Sequence, residues 1–435
     1  MRHKIRSDHS RFLSKTDRQL FIILLLMIAC FFTWSEHVMI TRAIKVVGRM
    51  SVLLASVVVY RKVLRYGAVD SLKWKNIFAP LLYFGYLLLG FISFLWSSKV
   101  EVSALQWFMT TQSMIFSYFF IKSLILLDAY FQGHSIRLFH LLGNAVFVLI
   151  CVFIIGMYAD PDTFFRLTHG GEEARLGGYI MNPNELGMLA GVGMACLILD
   201  IYRNHRKWWT VGKILVIVYA LFLTGSRSSL IGAVLIVLFY ISQSKNKRLK
   251  IMILAGLFAV LPVAVNKVIL KDDGERLEEV LNMTGRLPFW TALINEGLPR
   301  EPLLGFGFMR IDYKEFFQST HTYAGKMTHN TFIQVLMNLG FTGLTLVIFQ
   351  MIFTIRGLLH ENKEKKLMLF GILIPILINS TTEFGIFGES NYGILFYQLL
   401  VFSIALERSP FLTSREKIRL KAKRTDLSFV QGPDQ

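Results

Sequence analysis

Three residues have the type and setting to handle an anion or a proton. Arg227 lies in Thr224-Gly225-Ser226-Arg227-Ser228-Ser229, a glycine-containing turn whose hydroxyls can cap the helix that follows. The N–H groups at a helix start attract anions and disfavour a cation, so an arginine there calls for a negative partner. Arg286, after Gly285 and before Pro288 and Trp290, offers a planar fork of donors suited to two phosphate oxygens. Two such arginines can clamp a diphosphate. His329 carries an imidazole tuned for proton transfer near neutral pH, able to orient or deprotonate a hydroxyl. Each also has a plainer reading. Arg227 can pair with a lipid phosphate or a loop acid, Arg286 can be a solvated charge, and His329 can be an interfacial histidine satisfied by a carbonyl.

Other polar residues support these three. Asn330, Gln334 and Asn338 recur at i, i+4 and i+8 and draw one polar stripe down an otherwise apolar helix, which should face protein or a wet cavity. Gly340 and Gly343 then allow a neighbouring helix to approach closely. Asn182-Pro183-Asn184-Glu185 reads as a cap, a proline at N1 and an acid in the first turn, with Glu185 facing the same cavity. Asp272, Asp273 and Glu275 lack calcium-loop spacing and a histidine, so a solvated helix start explains them better than a metal site. Gly305-Phe306-Gly307 is too short for a phosphate loop, and His321, Glu383 and Glu389 are polar residues facing the same side with no assigned role. No metal is expected.

The elements that position these groups are membrane helices. Of 435 residues, 54% are hydrophobic and 17% charged, against about 25% charged in soluble domains. Twelve apolar stretches are candidate spans: Leu20–Trp34, Ala43–Tyr60, Ile77–Trp96, Ser103–Leu126, Phe139–Ala159, Ile180–Tyr202, Gly212–Leu223, Ser228–Ile241, Leu249–Asn266, Asn330–Ile355, Lys366–Glu383 and Asn391–Leu406. The expected fold is all-α and polytopic. The first stretch follows a basic leader without a persuasive cleavage site, so it reads as a retained helix. Cys30, Cys151 and Cys196 fall inside spans, without metal spacing or a disulfide framework.

The net charge of +18 sits in short clusters between spans, where it sets topology and does not point to nucleic acid. With the N-terminus in the cytoplasm, the inner connections hold 31 Lys and Arg and the outer ones 13. Both termini are then cytoplasmic, and the tail from Arg415 to Arg424 lies against anionic lipid. The division is a basic N-terminus (1–19), spans one to nine (20–266), a large outer loop (267–329), spans ten to twelve (330–406) and a basic tail (407–435). The outer loop is long enough to be functional. Within it, Glu275–Leu281 and Leu287–Ile294 read as short amphipathic helices.

The chain resembles the O-antigen ligase and O-antigen polymerase superfamily of bacterial envelope glycosyltransferases. The resemblance rests on His329-Asn330, nine residues and Gly340-Phe341-Thr342-Gly343, on Gly285-Arg286 with Trp290, on Pro302-Leu303-Leu304-Gly305-Phe306-Gly307, and on Thr224-Gly225-Ser226-Arg227. It implies a GT-C-like transferase of the bacterial inner membrane that moves a glycan from undecaprenyl pyrophosphate to an acceptor hydroxyl, with neither metal nor other cofactor. Arg227 and Arg286 would hold the pyrophosphate, and His329 would orient or activate the acceptor. The acceptor is another lipid-linked repeat unit in a polymerase and the lipid A core in a ligase. No residue separates the two, and the polymerase is taken first. Other polysaccharide-assembly proteins are candidate partners. An anion or solute transporter is the alternative of another class, weakened because the candidate charges gather at one face and not at the bilayer midplane.

Overall fold

The structure is a computed structural model that describes residues 2–65, 72–128, 137–168, 173–203, 207–264, 286–310, 328–383 and 385–408. Long apolar helices dominate it: α1 (Arg2–Ala29), α2 (Val38–Arg65), α3 (Phe78–Leu95), α4 (Val100–Asp128), α5 (Arg137–Ala159), α6 (Pro183–Arg203), α7 (Lys207–Leu223), α8 (Arg227–Gln243) and α9 (Lys247–Ala264). A short helix, α10 (Arg286–Ala292), precedes α11 (Thr331–Leu359), α12 (Lys363–Thr382) and α13 (Tyr392–Ala405). The chain is an all-α polytopic membrane protein, since each of the twelve apolar stretches falls on one of the long helices.

Among the described residues, seven helices are long and apolar enough to cross a bilayer: α2, α3, α4, α5, α6, α11 and α12. The others fall short for different reasons. Helices α7 and α8 have 17 residues each, or about 26 Å at 1.5 Å per residue against a hydrocarbon core of about 30 Å. Helix α1 opens with a charged run, and it ends at Ala29, five residues before the expected Trp34. There the Trp34 indole N–H donates to the Ala29 carbonyl at 2.8 Å, and the Thr33 amide donates to Ile180 O at 2.9 Å. Those bonds turn the chain out of the helix.

Packing sets the order of the bundle. Helix α6 lies against α5, α7, α8 and α12, and α13 lies against α3, α4, α11 and α12. Every residue of α13 is buried. A helix apolar on all sides belongs inside a bundle, so its 14 residues need not match the bilayer. Where α6 meets α8, a Cβ on Gly187 would overlap the Ser229 hydroxyl, so this contact requires a residue without a side chain.

The two ends of the bundle differ. At one end, β1 (Leu72–Trp74) pairs antiparallel with β4 (Leu406–Arg408), and ion pairs join Arg137 to Asp17 at 2.9 Å and Lys75 to Glu361 at 3.2 Å. At the other end, β2 (Phe165–Thr168) and β3 (Glu173–Leu176) pair antiparallel, and Arg175 of β3 reaches Thr224 and Asn184. The expected helix Leu287–Ile294 is present as α10, continued by a π-turn over Leu293–Gly297. The expected helix Glu275–Leu281, the residues Asp272, Asp273, Glu275, Gly285 and His321, and the tail Arg415–Arg424 lie outside the described residues.

Candidate functional site

Glu383 is the hub. It directly follows α12 and its side chain is 2% exposed. One carboxylate oxygen, Oε1, accepts from Arg286 Nη2 at 2.7 Å and from Asn184 Nδ2 at 2.7 Å. The other, Oε2, lies 2.5 Å from His329 Nδ1. Arg286 Nη1 also donates to the Thr382 carbonyl. A buried carboxylate is costly unless paired and fully hydrogen-bonded, and here one arginine, one histidine and one amide meet that demand. Burial pushes the Glu383 carboxyl up, but His329 and then Arg286 outweigh it and hold the group below the ordinary glutamate value. Glu383 therefore stays ionised.

His329 is aimed by its backbone. Its φ is +49°, a left-handed conformation that non-glycine residues seldom adopt and that costs on the order of 1–3 kcal/mol. Asn330 then caps α11, its Oδ1 accepting from the amides of Phe332 at 2.9 Å and Ile333 at 3.1 Å, while its Nδ2 donates to Thr381 O at 3.1 Å. The expected polar stripe faces protein: the Thr328 hydroxyl donates to Gln334 Oε1 at 3.0 Å, and Gln334 Nε2 donates to Asn338 Oδ1 at 2.8 Å. These bonds fix the strained turn that carries His329.

Arg286 is held by aromatic packing and a loop clasp. Phe289 and Leu293 bury against Met337 of α11, and the Trp290 indole donates to Thr328 O at 2.6 Å. Further along, α11 breaks at Gly340, where φ is +61° and ψ −163°. The break frees carbonyls, and the loop takes them: Phe306 N donates to Met337 O at 2.9 Å and Gly307 N to Asn338 O at 2.9 Å. In return Phe341 N donates to Pro302 O at 2.8 Å and Thr342 N to Leu303 O at 3.2 Å. A Cβ on Gly340 would overlap the Leu303 backbone, and one on Gly305 would overlap Asn338.

This corrects the expectation that Gly340 and Gly343 admit a neighbouring helix. Gly340 receives a loop, and the space above Gly343 is filled by Leu339 of its own helix, tipped over by the break. The helical period of 330–355 continues through the break, so it does not reveal it.

The third expected group, Arg227, opens α8 with Ser226 as its N-cap, the Ser226 hydroxyl accepting from Ser229 N at 3.3 Å. It sits three residues from Thr224, whose carbonyl accepts from Arg175 Nε at 2.7 Å. Arg175 Nη2 also donates to Asn184 Oδ1 at 2.8 Å, and Asn184 in turn donates to Glu383. A chain of hydrogen bonds thus runs from the head of α8 through Arg175 and Asn184 to the carboxylate that binds Arg286 and His329. The Asn182 cap is also present, its Oδ1 accepting from Asn184 N at 2.9 Å. Capping explains Asn182; Asn184 has a further role.

Two residues of this network were not expected there. The sequence alone assigns Glu383 no role, although an ionisable residue at the end of an apolar span is a functional signal in itself. Arg175 lies in a strand of a short hairpin, and only the fold brings it to Asn184. Glu185 lies in the field of Glu389, Glu383 and Lys45, so the cavity end of α6 carries a second carboxylate. Burial raises the Glu389 carboxyl above its ordinary value, with Lys45 and His329 opposing.

These features define a multi-pass helical membrane protein with a cluster of arginines, a histidine and a buried carboxylate at one end of its bundle. Residues 212–348 match the family model described as O-antigen ligase, which supports membership of the O-antigen ligase and polymerase superfamily, as the motifs predict. The matched region includes Arg227, Arg286, His329 and the Gly340 break. Arg175, Asn184 and Glu383 lie outside it. No curated protein matches the chain.

Proposed function

We propose that this chain is a metal-independent glycosyltransferase of the bacterial inner membrane, with both termini in the cytoplasm. It takes a glycan from undecaprenyl pyrophosphate at the outer face and joins it to an acceptor sugar hydroxyl in O-antigen, capsule or exopolysaccharide assembly. The acceptor is another lipid-linked repeat, as in a polymerase. The observation that supports this most directly is the shared carboxylate: Glu383 contacts both His329 and Arg286.

The two halves of the reaction need different groups. With Nδ1–H donating to Glu383, Nε2 is the basic nitrogen of His329, and the carboxylate stabilises the imidazolium that forms. The acceptor hydroxyl loses its proton to Nε2 while its oxygen attacks the anomeric carbon. The bond from that carbon to the pyrophosphate oxygen breaks, and its electron pair stays on the pyrophosphate. Arg286 commits two of about five guanidinium N–H donors to protein oxygens and turns the rest toward the developing charge. Arg227 is the second clamp. Attack opposite the leaving group inverts the anomeric centre.

Deleting the gene and reading envelope glycans on gels tests the proposal. A polymerase mutant keeps cores capped with a single repeat, whereas a ligase mutant loses core-attached glycan and accumulates lipid-linked polymer. Complementation with Arg227→Ala, Arg286→Ala or His329→Ala, each expressed normally, should fail to restore the ladder. Glycans unchanged in length and attachment would sink the transferase reading.

A further inference from the structure

The bundle end opposite His329 carries a cavity with cationic residues on its wall. About 380 Å³ in volume, it opens between α3, α11 and α13 and is lined by Lys75, Asn76, Phe78, Phe353, Arg356 and His360, among others. Its floor is built: Asn76 Nδ2 donates to Phe353 O at 3.0 Å across the helix gap, and a Cβ on Gly357 would overlap that amide. Phe78 and Phe353 pack with ring centroids 5.2 Å apart.

The charge there is unbalanced. Glu361 is shared between Lys75 at 3.2 Å and Lys365 at 3.1 Å. Among the described residues, no acid pairs with the exposed Arg356 guanidinium, and His360 donates Nδ1–H to Arg356 O at 2.7 Å. Glu361 and Glu407 thus lie among Lys73, Lys75 and Lys365, while Arg356 lines the cavity with an imidazole beside it. Below the cavity, Phe78, Leu81, Phe349 and Ile352 are exposed on the outer faces of α3 and α11, where acyl chains run. A basic cavity beside an apolar stripe suits a ligand with an anionic head and an apolar tail.

We propose that the cavity bounded by Lys75, Arg356 and His360 binds the headgroup phosphate of an anionic phospholipid, with the acyl chains along Phe78 and Ile352. Arg356 offers a two-donor fork, Lys75 a point charge, and basic pockets between helices at a membrane surface select anionic headgroups. The site is independent of the transferase reading.

Thermal unfolding of the full-length protein tests it, in micelles doped with phosphatidylglycerol or phosphatidylcholine, or with inorganic phosphate alone. Wild type should shift upward with phosphatidylglycerol only. The Arg356→Ala/His360→Ala variant should lose most of that shift, while Lys247→Ala, at the start of α9, keeps it. Should the double variant not fold, Arg356→Gln on the exposed surface reads the same loss. An equal shift in variant and wild type would overturn the site, and an equal shift from inorganic phosphate would overturn the lipid.

Discussion

His329 and Glu383 stand 54 residues apart in the chain, yet Nδ1 of one lies 2.5 Å from Oε2 of the other, across the gap between the head of α11 and the end of α12. That contact fixes the orientation of the His329 imidazole. It also makes α12 a part of the site, although the family match stops at residue 348.

Glu383→Gln is the sharpest probe of this relationship. The amide keeps the shape but not the charge, so it cannot stabilise an imidazolium. Glycan transfer should fall by roughly 10²- to 10⁴-fold, the usual contribution of a positioned base. Glu383→Ala should also cost about 3–5 kcal/mol of stability, because Arg286 loses its buried partner. Transfer assays and thermal unfolding of the two variants separate the effects; normal transfer by Glu383→Gln would remove Glu383 from the mechanism.

Arg175 is predicted to act through others. It bonds the Thr224 carbonyl and Asn184, so Arg175→Ala should loosen Asn184 from Glu383 and tilt the head of α8. Removing charged hydrogen bonds of this kind costs about 1.5–3 kcal/mol each. Transfer should drop while Arg175→Lys recovers only part of it, because an ammonium cannot reproduce the fork. Equal activity in Arg175→Ala and wild type would make the hairpin merely structural.

Gly340→Ala should be damaging without touching any charged group. The backbone there, at φ +61° and ψ −163°, is essentially open to glycine alone and penalises a Cβ by about 1–3 kcal/mol, and the overlap with the Leu303 backbone adds to it. Thermal unfolding and membrane expression should both fall, and Gly343→Ala, whose Cβ would overlap the Leu339 Cβ, should be damaging too.

The pH dependence follows from the sign of the Glu383 shift. Its carboxyl titrates below the ordinary value when folded, so its contribution to stability is complete above the unfolded value, near 4.3. It is lost as the pH falls through the depressed folded value. Wild type should therefore weaken on the acid side of about pH 4.3, and Glu383→Gln, already less stable, should weaken less steeply there. Unfolding followed between pH 3 and 6 gives the two slopes, on the order of 1.4 kcal/mol per pH unit at most for one group. Parallel slopes would contradict the shift.

Much of the fold can be read from apolar runs, because a lipid-facing or bundle-facing helix needs a run of a certain length and little else. Each expected stretch falls on a helix for that reason. His329 and Asn330 are legible because they stand at the edge of such a run, and Arg286 because its donor fork follows Gly285 and precedes Trp290 in the outer loop. Arg175 and Glu383 are less so: one sits in a four-residue strand and the other ends a span like many polar residues, and only tertiary contact distinguishes them. The break at Gly340 is hidden for a related reason. The apolar period continues through it, and the partner that satisfies the freed carbonyls is a loop more than thirty residues upstream.

The clasp at Gly340 also makes the interval from Asn330 to Gly340 a ruler. Ten residues of helix set the ring of His329 about 15 Å along the axis from the clasp, at a fixed angle around it. One residue added inside that interval would turn the imidazole by roughly 100° and lift it about 1.5 Å, away from Glu383, while leaving both ends of the clasp intact. The spacing from His329 to Gly340 is thus a length standard that sets where the imidazole stands relative to Glu383.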